Sequence, residues 1–79
     1  METKFAIYRE KDGAPLLVFP NEKATKNGDV LAFSMTDGHT TATKKYLRTL
    51  TKLSKDDSEA RKIVETYNAN YKTALNFEA

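Results

Sequence analysis

The feature that most constrains the fold is a change of hydrophobic period about halfway along the chain. In the first half, large apolar side chains recur at every second position, at Phe5 and Ile7 and again at Leu31, Phe33 and Met35. Between these segments, Pro15 and Pro20 enclose a short apolar run at residues 16–19. A period of two is typical of strands that turn one face toward a core. The first half therefore predicts three strands.

Turn signals connect these predicted strands. Asp12-Gly13 follows the first segment, and Asn27-Gly28 lies just before the third. An Asp or Asn followed by Gly tolerates the positive φ that a tight hairpin requires. Short polar links of this kind favour an antiparallel meander.

In the second half, the apolar spacing becomes helical. Apolar side chains recur at positions 46, 47, 50 and 53, and a second stripe consists of Ala60, Ile63, Val64 and Tyr67. The polar residues 54–57 interrupt the pattern, and their acids favour the start of a new helix. Two amphipathic helices are therefore predicted.

The segment between the third strand and the first helix has an alternative interpretation. Asp37-Gly38 is followed by Thr40, Thr41 and Thr43, and this β-branched cluster is able to extend a hairpin. The helical spacing that begins at position 46, together with a threonine as N-cap, favours a turn followed by a helix instead.

The last residues also allow two structures. The stripe continues at helical spacing through Tyr71, Ala74 and Leu75, whereas residues 71–78 also alternate, with Phe77 in phase. Asn68-Ala69-Asn70 is a suitable helix stop, and we therefore prefer a strand. The predicted fold is a single α+β domain over residues 1–79. Its small, mostly antiparallel sheet has the order β-β-β-α-α-β, with two helices packed on one face.

Composition excludes several classes of protein. The 79 residues contain no cysteine, which excludes disulfides, zinc–thiolate sites and thiol catalysis. The longest apolar run has four residues, far short of the roughly 20 that span a membrane. No signal-peptide pattern opens the chain, and we expect a cytoplasmic protein without a membrane partner.

The charge distribution suggests one candidate interaction surface. Residues 38–55 carry five cationic side chains and no acid: Lys44, Lys45, Arg48, Lys52 and Lys55. On one continuous helix these side chains would lie within roughly 100° of each other. Such a face is a candidate for weak, sequence-tolerant binding of nucleic acid through phosphates. The competing interpretation is an ordinary solvated face that keeps a small protein soluble.

Catalytic patterns are absent from the sequence. His39 is the only histidine, and it follows Asp37-Gly38, where a turn or capping role is most common. Its hydroxyl and carboxylate neighbours do not form a nucleophile motif, and the single glycines cannot cradle a phosphate. We therefore expect no enzyme, no cofactor and no metal ion.

The predicted architecture leaves one apolar sheet face without a helix. This face would carry the candidate protein-interface residues Tyr8, Leu16, Val18, Val30 and Ala32. Loops, a second copy of the chain or a different protein would have to cover it. The sequence therefore favours a non-catalytic binding or accessory module that acts through protein–protein contacts, with a homo-oligomer as one form.

Overall fold

The sheet begins with three strands at the two alternating segments and the apolar run that the sequence predicts, although β2 continues through Pro20 to Lys23. The computed structural model of the chain describes residues 4–24 and 26–76. Strands β1 (Ala6–Arg9), β2 (Pro15–Lys23) and β3 (Val30–Ser34) pair antiparallel in chain order. Gly13 and Gly28 adopt φ angles of 90° and 89°, in the positive region that glycine tolerates and that the two predicted turns require. The predicted α+β class with an antiparallel sheet is therefore confirmed.

A fourth strand occupies the segment for which two structures were considered. Strand β4 (Gly38–Ala42) pairs antiparallel with β3, from Ser34 opposite Gly38 to Val30 opposite Ala42. The turn is closed by the Ser34 hydroxyl, which accepts a 2.8 Å hydrogen bond from the Asp37 N–H. The hairpin alternative is thus the one that forms, because the β-branched threonines extend the sheet.

The long first helix predicted from the apolar spacing is wrong. Helix α1 (Lys44–Leu47) is a single turn, and strand β5 (Thr51–Lys52) follows it and pairs with β1. Tyr46 and Leu47 pack on one face of the sheet, whereas Leu53 packs on the other. One straight helix cannot place side chains on both faces of the sheet. The chain instead continues past α1 as a short strand along the edge of β1.

The described strands form one sheet in the order β4-β3-β2-β1-β5. Alternate residues of β2 face opposite sides, so the sheet has two apolar clusters. The cluster on the side of helix α2 (Ser58–Tyr71), called the α2 face, consists of Ile7, Leu17, Phe19, Phe33, Ala60, Ile63 and Val64. The cluster on the α1 face consists of Leu16, Val18, Val30, Ala32 and Ala42, with Tyr8, Tyr46 and Leu47 packed against it. The two helices therefore lie on opposite faces, and the prediction that both lie on one face is wrong.

Helix α2 begins and ends at side chains that satisfy its free backbone groups. Asp57 is the N-cap, and its Oδ1 accepts from the N–H groups of Glu59 at 2.9 Å and Ala60 at 3.3 Å. At the other end, Lys72 adopts the left-handed conformation (φ 54°, ψ 40°), and its N–H donates to the carbonyl of Asn68. Both ends are thus fixed by local chemistry rather than by the apolar stripe alone.

The residues after α2 fold back on the helix end, and residues 73–76 form no strand, contrary to the prediction. The Asn68 Oδ1 accepts from the Leu75 N–H at 2.9 Å and from the Thr73 hydroxyl at 2.7 Å. The Asn68 amide also donates to the Leu75 carbonyl at 3.0 Å. These bonds occupy the backbone of Leu75 and place its side chain on the α2-face cluster. Residues 77 and 78 of the predicted strand lie outside the described residues.

Candidate interaction surfaces

The cationic residues predicted from the sequence are all exposed, but they do not share one helix. They occupy α1, its C-cap, β5 and the turn before α2, in the order Lys44, Lys45, Arg48, Lys52 and Lys55. Lys52 is paired with Tyr8 in the β1–β5 register, and paired residues project to the same face of a sheet. Because Tyr8 packs on the α1 face, Lys52 projects to the same side of the sheet as α1.

The residues predicted as a protein interface lie under α1. Leu16, Val18, Val30 and Ala32 are buried in the α1-face cluster, and Tyr8 is half-buried beside them. The side chains of Tyr46 and Leu47 pack over this cluster. The connection from β4 to β5 thus covers a face that the sequence-based interpretation left for a partner. The four buried side chains offer no surface to another protein.

A hydrogen bond holds α1 against this face. The Tyr46 hydroxyl donates to Glu10 Oε2 at 2.6 Å, and Glu10 directly follows β1. This bond, burial and the negative charges of Glu10 and Asp12 together raise the pKa of Tyr46 to about 12. The phenol is therefore neutral at physiological pH and remains a hydrogen-bond donor.

The only histidine lies on β4 and not in the turn that the sequence suggested. His39 is paired with Phe33 in the β3–β4 register, so its exposed ring lies on the α2 face. Its centroid is 4.6 Å from that of Tyr71 and 5.8 Å from that of Tyr67, both with edge-to-face geometry. We call the group of His39, Tyr67 and Tyr71 the aromatic surface.

Buried rings support the aromatic surface from below. The centroid of Phe33 lies 5.2 Å from that of Tyr67 and 5.8 Å from that of Tyr71, and the centroid of Phe19 lies 5.3 Å from that of Tyr67. Phe33 and Phe19 are buried, whereas 42% of Tyr71 is exposed. The exposed rings therefore rest on buried rings, which restrict their movement.

Tyr67 is the most buried of the three rings in the aromatic surface. Burial raises the pKa of Tyr67, and the charges of Glu22 and Tyr71 add to the rise. The Tyr67 hydroxyl is therefore neutral across the physiological range. Its apolar ring and polar tip suit contact with another protein, where tyrosine is enriched.

An unpaired strand edge borders the aromatic surface. β4 is the terminal strand of the sheet, and none of the described strands pairs with its outer side. Its five residues match β3 without a bulge and contain neither proline nor a charged side chain. In an antiparallel pair, alternate residues direct their N–H and C=O groups away from the partner strand. β4 therefore carries no proline, charged residue or bulge of the kind that often blunts a strand edge.

Two signals in the sequence pointed to this region. Tyr67 and Tyr71 are four residues apart, so they are neighbours on a helix, but the preference for a strand at residues 71–78 separated them. The hairpin alternative at Asp37-Gly38 places His39 in a strand on the side of Phe33. The aromatic surface requires both β4 and the last turn of α2. A wrong prediction for either segment is therefore enough to miss it.

A cavity of about 400 Å³ lies between the β1–β2 turn and α2. Its lining includes the carboxylates of Asp12 and Glu59. Asp12 Oδ1 accepts from the Ala14 N–H at 3.0 Å, and Glu59 Oε2 accepts from Arg9 Nη1 at 2.9 Å. Both carboxylates thus stabilise the turn and the start of α2, and the aromatic surface is the stronger candidate site.

Within residues 4–24 and 26–76, no group of three or more His, Asp or Glu side chains is arranged to hold a metal ion. Neither of the helices formed by these residues is long and apolar enough to cross a bilayer. Comparison of the chain with protein-family models, curated proteins and solved structures finds no match.

Proposed function

We propose that the chain is a non-catalytic binding module whose contact surface is the outer edge of β4 together with the aromatic surface. An extended segment of a protein partner adds to β4 through backbone hydrogen bonds. Every second side chain of that segment then lies on the aromatic surface. The observation that carries the proposal is the 4.6 Å contact between His39 on β4 and Tyr71 on α2, which places two exposed rings beside an unpaired edge.

The proposal replaces the interface that the sequence favoured and keeps the class of function. The α1 face is covered by the chain itself, whereas the rings of His39 and Tyr71 remain exposed. Aromatic side chains held by buried neighbours are typical of the residues that contribute most to protein binding. Backbone pairing supplies affinity without a demanding sequence, and the rings supply preference for apolar side chains.

Selection of peptides from a random display library against the immobilised chain tests this proposal. The strongest peptide is then titrated into the ¹⁵N-labelled chain, and the amide shifts are mapped. We expect changes along β4 and at the end of α2. Tyr71→Ala should lower the affinity for this peptide roughly thirtyfold, which corresponds to the loss of about 2 kcal/mol of binding free energy at an interface anchor.

Met35→Ala is the matched control, because Met35 is also 42% exposed and lines the cavity beside the β1–β2 turn instead of belonging to the aromatic surface. It should change the affinity less than about threefold, as for surface positions away from an anchor. Selected peptides that shift α1 and β5 instead of β4 would place the contact surface elsewhere. A selection that yields no binding peptide would contradict the proposal directly.

The cationic residues support a second candidate function, weak binding of nucleic acid. Lys44 and Lys45 are exposed on α1, and the register places Lys52 on the same side of the sheet. Roughly three to five phosphate contacts along this side would give a log–log salt slope of about −3 to −4. Salt bridges among the described residues do not involve these lysines, which leaves their charges available.

Titration of a labelled duplex and of a labelled single strand, at low and moderate salt, tests this second function. Arg48→Glu with Lys52→Glu should abolish binding and change the free energy of unfolding by no more than about 0.5 kcal/mol, because both residues are exposed. If neither nucleic acid binds the wild-type chain at low salt, the lysines only solvate this side of the protein.

A further inference from the structure

We infer that the protein segment that adds to β4 is the β4 strand of a second copy, an inference that rests on the function proposed for this edge. Two copies pair antiparallel about a two-fold axis, and their sheets become one continuous sheet. With Thr40 on the axis, Gly38 lies opposite Ala42 of the second copy, and all five residues of the strand are paired.

The charges at the two ends of β4 favour this arrangement. Asp37 directly precedes the strand, and Lys44 and Lys45 lie just after it. In antiparallel pairing, the Asp37 end of each copy meets the Lys44–Lys45 end of the other, and this happens at both ends of the seam. Parallel pairing would instead place like charges side by side, which is unfavourable. The strand contains no Asp, Glu, Lys or Arg side chain, and His39 lies opposite a threonine and not opposite its own copy.

The same register places the aromatic surfaces at the seam. His39 lies opposite Thr41 of the second copy, and opposed residues project to the same face. A two-fold axis perpendicular to the sheet keeps both α2 helices on one side. The Tyr71 rings of the two copies therefore flank the seam, and the exposed part of each ring gains cover from the other copy.

The opposite edge of the sheet does not compete for this role. β5 has only two residues, so a β4-to-β5 contact would pair much less backbone than a β4-to-β4 contact. A contact of β4 with itself also closes after two copies, whereas β4 with β5 would propagate. An interface of one strand and a few rings belongs to the small, transient class, so the dimer forms at high protein concentration.

Sedimentation equilibrium of the full chain up to about 1 mM, a range that detects weak association, tests the inference. The variants are Thr40→Lys, Thr40→Glu and an equimolar mixture of the two. Thr40 of one copy lies opposite Thr40 of the other. Each variant alone therefore places like charges across the seam and should dimerise roughly fivefold more weakly than the wild-type chain. The mixture places opposite charges there and should associate at least as tightly as the wild-type chain.

Thr51→Lys is the control, because Thr51 is an exposed threonine on the other edge strand. It should leave dimerisation unchanged. An isotope-filtered NOE measurement on a mixture of labelled and unlabelled wild-type chain requires no variant, and it should show contacts between His39 and Thr41 of different copies. A dimer that lacks these contacts, or that Thr40→Lys leaves intact, overturns the inference.

A wild-type chain that remains monomeric at about 1 mM also overturns the inference. The outcome for the proposed function is separate. If display-selected peptides still shift β4 and Tyr71, the edge binds a different protein. If neither peptides nor a second copy bind there, both proposals fail.

Discussion

The rings of His39 and Tyr71 meet edge to face, with 4.6 Å between their centroids. The first ring projects from the terminal strand of the sheet, and the second belongs to the last residue of α2. Because the two elements are distant in sequence, this pair joins the sheet edge to the helix end. It is also the only part of the aromatic surface in which both rings are exposed, within the residues that the structure describes.

A double-mutant cycle measures the strength of this pair. His39→Ala and Tyr71→Ala should show a coupling free energy of about 0.5–1.5 kcal/mol in urea unfolding, as for other aromatic pairs. Tyr71→Ala combined with Thr51→Ala is the control, since Thr51 lies at the opposite edge of the sheet. Additive effects at His39 and Tyr71 would mean that the rings do not stabilise each other.

Charge introduced under α1 should unfold the chain. Val18, a residue of β2, is fully buried in the α1-face cluster, and Val18→Asp would bury a carboxylate without a partner. The penalty of several kcal/mol equals or exceeds the free energy of unfolding of a domain of this size, which is roughly 3–5 kcal/mol. Far-ultraviolet circular dichroism should show loss of structure, whereas Met35→Asp at an exposed position should remain folded. If the Val18→Asp chain remains folded, the α1 face is not covered by the chain itself and is again a candidate interface.

The hydrogen bond between Tyr46 and Glu10 should stabilise the fold. Its 2.6 Å length and charged acceptor suggest a contribution of about 1–2 kcal/mol, which Tyr46→Phe would remove. Urea unfolding near neutral pH measures this loss. Glu10→Gln retains an acceptor and should lose less free energy than Tyr46→Phe.

The same bond gives the stability a pH dependence. The folded state raises the pKa of Tyr46 to about 12, chiefly through the bond to Glu10, whereas the unfolded chain releases the proton near pH 10. The folded state therefore binds more protons across this interval, and its stability falls as the pH rises through it. Tyr46→Phe should show a shallower decline between about pH 9 and 12. Equal declines in both chains would contradict this account of the bond.

The helix end offers a stabilising substitution. Lys72 adopts the left-handed conformation, which is unfavourable for residues that have a Cβ atom. Glycine avoids this penalty, so Lys72→Gly should raise the free energy of unfolding by about 0.5–1 kcal/mol. Asn70→Gly, inside the helix, should lower it by about 0.5 kcal/mol. Thermal melts of the two variants should therefore move in opposite directions.

Strands β1 to β3 and helix α2 could be predicted because each has a local signal. Alternation and an Asp-Gly or Asn-Gly turn define the strands, and Ala60, Ile63 and Val64 form a stripe after the N-cap Asp57. The three stripe residues all pack on the α2 face of the sheet. The prediction succeeds there because local propensity and tertiary packing agree.

The predictions for residues 38–55 and 71–76 failed for a physical reason. Tyr46, Leu47 and Leu53 have helical spacing, but their partners lie on opposite faces of the sheet. The side chain of Asn68, rather than the alternation that follows it, determines the path of Leu75. Sequence periodicity records which residues are apolar, and it does not record which side of a sheet each one must reach. The aromatic surface depends on both segments and was therefore missed.

Amide hydrogen exchange along β4 is the most direct test of the claim that this edge is open and binds protein. In dilute solution, alternate amides of residues 38–42 should exchange rapidly because their N–H groups point away from β3. Those same amides should become protected when a peptide or a second copy adds to the edge, while the amides bonded to β3 change little. If all five amides are already protected in the dilute chain, the edge is covered within the monomer and the account is contradicted.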